Sequence, residues 1–145
     1  MDWKKAAEDD LKLYNLRMLS LDNISERIAT LKASKEGVKA CVTDKVPVKG
    51  GQSKYEEMLI NCIVEIERLS LNYEVTERLI KLTERGLSVL DDEEREVLES
   101  FYISGSERCL DVLRERLGYE KSQIYRIKDR ALQKYTVACF GVTQL

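Results

Sequence analysis

The sequence predicts an all-α protein: a long N-terminal antiparallel helical hairpin of coiled-coil type, followed by a small helix-turn-helix domain. Three observations carry this expectation. Two stretches, each about 30 residues long, place apolar side chains in alternating steps of three and four, the rhythm of paired helices. A single proline and seven glycines among 145 residues leave few helix breaks. Near the C-terminus, two shorter helical stretches are separated by little more than Gly118. A hydrophobic content of 43% and a charged content of 34% suit a folded, helix-rich chain.

The first helix is expected from Trp3 to Leu31. Ala7, Leu11, Tyr14, Met18 and Leu21 form its seam, the step to Ile24 slips to three, and Ile28 and Leu31 resume. Such a slip locally overwinds a supercoil. Lys4, Lys5, Glu8, Asp9 and Lys12 keep the other face wet. Residues 33–53 then read as a loop, because Gly37, Pro47, Gly50 and Gly51 interrupt any helix and Val46 is pushed to an extended form by the proline after it. Its four lysines leave two uses open, a flexible connection or a segment that contacts a partner or DNA. A second helix is expected from Ser53 or Lys54 to Arg85, with Glu56 and Glu57 in its first turn and Gly86 as its stop. Its seam is stricter: Tyr55, Leu59, Cys62, Ile66, Leu69, Tyr73, Thr76 and Ile80. Met58, Ile63, Leu79 and Leu82 widen the apolar stripe beyond what one neighbour covers. Either the C-terminal domain or a second copy is expected there, and a homodimer through the N-terminal helices follows.

The division into domains is expected at residues 1–86 and 87–145. After an apolar connection from Leu87 to Leu90, Asp91 opens a helix, and Glu94 completes a pattern like a capping box. Val97, Leu98, Phe101 and Tyr102 form its buried face. The acids between Asp91 and Glu99 read as a solvated helix start favoured by the dipole. Ser104, Gly105 and Ser106 turn the chain. Leu110, Leu113 and Leu117 then make one stripe, Gly118 stops it, and a second helix from Lys121 to Val137 carries Ile124, Ile127, Ala131 and Leu132 on its inner side. Ser122, Arg126, Asp129 and Gln133 fall opposite, flanked by Tyr125 and Arg130. From Arg114 to Lys134 there are seven Lys and Arg against three acids, within a chain of net charge -2. A local positive face on an acidic protein points to nucleic acid, the plainer reading being a solvated face. The tail after Phe140 is expected to fray.

Several classes are excluded or disfavoured. There is no histidine, and Cys41, Cys62, Cys109 and Cys139 lie too far apart for a zinc site. They are expected as free thiols, with no cofactor. No apolar run approaches the roughly 20 residues of a membrane span. The start, MDWKKAAEDD, lacks the apolar core of a signal peptide, so a cytoplasmic protein with no membrane partner is expected. No nucleophile with a base, no phosphate-cradling loop and no dinucleotide fingerprint is present, and no enzyme is expected.

The run LRERLGYEKSQIYRIKDRALQKY resembles the helix-turn-helix of domain 4 of bacterial sigma factors, and the preceding LDDEEREVLESFYISG resembles the helices before it. The match spans Leu87 to Tyr135. Two departures stand out: Arg114 where such motifs place a small alanine, and Glu120 where Ser or Thr caps the second helix. With a heptad-bearing N-terminal half and the VPVKGG stretch, the whole is similar to phage-encoded late-gene transcription regulators of the ArpU/RinA type. The resemblance implies a sequence-specific regulator acting on double-stranded DNA, and leaves RNA polymerase open as a second partner. No stretch resembles the sigma domain that melts promoters, which implies an activator or partial factor. A helix docked in the major groove as helix-turn-helix proteins dock presents Lys121, Ser122, Gln123, Tyr125 and Arg126 to base edges. Arg114, Arg116, Lys128 and Arg130 then fall to phosphates. Two alternatives stay open: a phage small terminase subunit that marks DNA for packaging, and a coiled-coil scaffold whose terminal module binds protein only.

Overall fold

The computed structural model describes residues 1–43 and 54–141. Among the described residues the chain is all-α: α1 (Trp3–Thr43), α2 (Lys54–Ser88), α3 (Asp92–Leu98), a π-helical turn (Glu99–Ile103), α4 (Cys109–Leu117) and α5 (Lys121–Phe140). No described helix is long and apolar enough to cross a membrane.

α1 and α2 form the antiparallel hairpin. Tyr14 of α1 donates its hydroxyl to the Glu84 carboxylate near the end of α2, at 3.0 Å. Further along α1, Arg27 faces Glu65, which lies earlier on α2. The Glu65 carboxyl is held below its usual range, first by hydrogen bonding from Arg68 and further by Arg27. Every residue of the expected α2 seam, from Tyr55 to Ile80, is buried or half-buried. On α1 the seam departs from the expected one. Met18 is 43% exposed, and Arg17 takes the inward position, its guanidinium bonded to Asp10 at 2.9 Å. The three-residue slip therefore falls at Tyr14 to Arg17, not after Leu21. An arginine can fill a seam position because its stem packs while its head reaches a partner.

The expected loop 33–53 needs correction. α1 continues through Gly37 to Thr43. One glycine costs a helix only about 1 kcal/mol relative to alanine, too little to end a run otherwise free of breakers. Pro47, Gly50, Gly51 and the VPVKGG stretch lie outside the described residues, as does the tail after Gly141. Gly86 is not a stop either, since α2 runs on to Ser88. A Cβ built there would meet Cys139 Sγ at 2.5 Å and the Tyr135 ring at 2.6 and 2.8 Å. This glycine exists for close approach. α2 ends instead on side chains: Arg95 donates to the Leu87 carbonyl at 3.1 and 3.3 Å, and Ser88 to that of Arg85 at 2.6 Å.

The chain divides into two compact units. One joins Met1–Met18 to Arg78–Leu145, and the other is Leu19–Glu77. This partition differs from one at residue 86, because both helix ends of the hairpin pack with the C-terminal helices. In the first unit, Ala7 and Leu11 of α1, Leu87 and Leu90, Leu98, and Ala131, Leu132 and Tyr135 of α5 make one buried cluster. Trp3 packs on Phe140 with ring centroids 5.2 Å apart and the planes tilted by 38°. Tyr102 donates to Glu8 at 3.2 Å, and Asn15 donates its amide to the Ile103 carbonyl at 3.2 Å. A second cluster joins Val97, Leu113, Ile124 and Ile127.

The two helix-interior glycines differ in what surrounds them, and substitution should show it. Gly86→Ala should lower stability by about 1–3 kcal/mol despite alanine's better helix propensity, because the core has no room. Gly37→Ala, at a site with nothing within 4 Å, should raise it by up to about 1 kcal/mol, both read by urea denaturation. Burial also pushes the Tyr135 phenol far above its usual 10.0, and the Tyr102 phenol likewise. A phenol neutral in the fold but free to ionise when unfolded adds stability that is complete below pH 10.0 and lost as pH rises further. Denaturation midpoints should therefore fall above that pH, and Tyr135→Phe should flatten the decline.

Candidate nucleic-acid interface

α4 and α5 are joined by Gly118, Tyr119 and Glu120 alone. Gly118 caps α4 in the left-handed conformation (φ 71°), and its N–H donates to the Arg114 carbonyl at 2.9 Å. A non-glycine residue would be strained there, so the turn depends on this glycine. The Tyr119 phenol is pushed above its usual range, first by its hydrogen bond with Glu93, which ties the turn to α3. Glu120 stands at the N-cap of α5 without a side-chain capping bond. Its carboxylate lies 3.7 Å from Arg114 Nη2 instead. Arg114, where a small residue would have packed, thus snorkels outward rather than wedging the helices apart.

Ile124 and Ile127 are buried against Val97 and Leu113, which fixes the roll of α5 about its axis. Lys121, Ser122, Gln123 and Arg126 are consequently exposed, and Tyr125 is 36% exposed. All five candidate base readers share the first two turns of α5. The Tyr125 ring leans on Phe101 with centroids 5.9 Å apart, and Lys121 Nζ sits 5.8 Å from its centre.

The candidate phosphate contacts are less uniform. Lys128 Nζ is lodged among rings, 5.0 Å from Phe101, 5.1 Å from Tyr125 and 6.0 Å from Tyr102. Those contacts stabilise the ammonium and steady the tyrosine. Arg116 pairs with Glu96 at 2.9 Å. Arg130 donates Nε to Glu94 Oε1 at 3.1 Å, and Lys134 donates Nζ to the same oxygen at 2.7 Å.

Glu94 is the residue that sequence reasoning misplaced. It counted as one of several solvated acids, yet it is 1% exposed. Asp91 caps α3 as expected, accepting from the Glu94 N–H at 2.7 Å. The Glu94 side chain does not return the bond in a capping box; it turns inward and binds two cations of α5. Its Oε2 has no hydrogen-bond partner. A signal was present in the spacing, since Glu94 precedes Val97, Leu98 and Phe101 by three, four and seven residues on one helical stripe.

Among the described residues no cluster of His, Cys, Asp and Glu is suited to a metal ion. The four cysteines are free thiols. Comparison with protein-family models, with curated proteins and with solved structures finds no match to this chain. What the fold defines is an all-α chain whose C-terminal helix pair presents a polar and basic outer face.

Because Glu94 is buried with its countercharges on another helix, truncating it strands no carboxylate but frees two half-exposed cations and opens a void. Glu94→Ala should cost about 1–3 kcal/mol in chemical denaturation. Arg130→Ala, at a side chain 53% exposed, should cost about 1 kcal/mol, since Lys134 still neutralises the acid.

Proposed function

We propose that this protein is a sequence-specific transcription regulator that lays α5 in the major groove of double-stranded DNA, acting on late genes of a phage or prophage. One observation carries the reading. Lys121, Ser122, Gln123, Tyr125 and Arg126 stand exposed together at the N-terminal end of a helix whose other side is locked by Ile124 and Ile127. The major groove is about 12 Å wide and admits one α-helix, with the helix N-terminus nearest the base edges. Arg126 suits guanine and Gln123 suits adenine in the donor and acceptor patterns of that groove. Tyr125, braced by Phe101 and Lys128, offers a rigid ring for thymine methyl groups.

Around this reading edge, Arg114, Arg116 and Arg130 stand at the surface with carboxylates beside them (Glu120, Glu96 and Glu94) that hold their charge in place for phosphates. Lys128 is shared with aromatic rings and acts more weakly on the backbone. The acidic start of α3 offers a surface of opposite sign for basic residues of RNA polymerase. The likeness of Leu87 to Tyr135 to sigma domain 4 supports a role in transcription, and the ArpU/RinA-like layout supports the late-gene setting.

The direct test is capture and sequencing of genomic fragments bound by the full chain. Enrichment upstream of a gene cluster is expected; enrichment at a packaging site would instead mark a terminase subunit. Within the bound motif, Arg126→Ala should weaken binding by about 1–3 kcal/mol and relax preference at one position. Arg130→Ala should weaken all sequences alike and reduce the salt dependence by about 0.9 in slope.

A further inference from the structure

α2 carries a second apolar seam that the hairpin leaves uncovered. Ile60, Val64, Leu71 and Val75 are 47%, 57%, 59% and 47% exposed. At about 100° per residue they fall in one sector of the helix, on the side opposite the hairpin seam. Between the two apolar pairs, the same sector carries Glu67 and Arg68, both exposed. Arg68 is steadied by Glu65 on its own helix, through Nε at 3.1 Å.

We propose that this face docks onto the same face of a second copy of the chain, with the two α2 helices antiparallel about a two-fold axis between Glu67 and Arg68. The order of residues is what selects the partner. Reversing the helix about that point carries Ile60 onto Val75, Val64 onto Leu71, and Glu67 onto Arg68. A closed two-fold contact requires such self-complementarity, each residue meeting the other member of its pair. The apolar pairs exclude water at both ends, and the central charges fix register, as polar seam positions do in coiled coils. A parallel arrangement would instead set Glu67 against Glu67 and Arg68 against Arg68. The occupant is thus this chain itself, and the interface is separate from the outer face of α5.

Sedimentation of the full chain without DNA tests this independently of the proposed function. A species of twice the 16.8 kDa chain mass is expected at high micromolar concentration, dissociating on dilution. Leu71→Glu, at an exposed position, should give a monomer with unchanged helical circular dichroism. Glu67→Arg and Arg68→Glu should each weaken self-association at least about tenfold, and an equimolar mixture of the two variants should restore it, because opposite charges then meet. A wild-type monomer throughout, or a dimer indifferent to Leu71→Glu, would overturn the proposal. For orientation, Ile60→Cys and Val75→Cys chains are mixed and oxidised, and the bridges located by peptide mapping. Bridges between positions 60 and 75 are expected, whereas bridges joining 60 to 60 would refute the antiparallel register.

Discussion

The contact on which the remaining architecture depends is the seating of the Tyr135 ring against the bare backbone at Gly86. Where α2 offers a hydrogen instead of a side chain, α5 approaches close enough for Tyr135 and Cys139 to pack on it. That approach brings Ala131 and Leu132 against Leu87, Leu90 and Leu98. It also lets the Cys139 thiol donate to the Leu82 carbonyl at 3.7 Å. Since α5 is one uninterrupted helix from Lys121 to Phe140, anchoring its C-terminal half sets where its N-terminal half stands. The end of the hairpin is therefore part of the scaffold of the α4–α5 pair and not an appendage to it.

α5 consequently has a gradient of commitment along its length. Its last turns belong to the core. In its middle, Lys128 is held by three rings, and Arg130 and Lys134 by one buried carboxylate. Its first turns, from Lys121 to Arg126, leave their polar groups toward solvent. Rigidity behind and openness in front are the conditions under which a helix can discriminate between partners, because side chains on a fixed backbone lose less freedom on docking.

How much of this was legible in the sequence depends on whether the signal was local. The α2 seam was readable because its spacing never slips over eight positions, and Asp91 and Gly118 because a cap and a left-handed turn require few residue types. Gly86 was misread for the opposite reason. Sequence shows a glycine near a helix end but not the tyrosine, forty-nine residues away, that needs the space. Gly37 was misread because its penalty is small beside the propensity of its neighbours. Arg17 displaced Met18 from the α1 seam through a bond to Asp10, and hydropathy alone ranks those two residues the other way. Glu94 was hidden by its acidic neighbours; only its place on the stripe with Val97 and Leu98 distinguished it. The outer residues of α5 were found by elimination once its inner stripe was known.

The π-helical turn between α3 and α4 has a consequence of phase. There the Ser104 N–H reaches back to the Glu99 carbonyl at 2.8 Å, one residue further than in an α-helix. The widened coil turns less per residue, so Ile103 swings round to the side of Leu98 and Tyr102 and joins the first core cluster. Phe101 meanwhile stays with the second. Excising a single residue here would restore a regular coil and send Ile103 toward water, detaching its carbonyl from Asn15. The two cores are thus geared together through a residue count, and this short segment tolerates a change of side chain far better than a change of length.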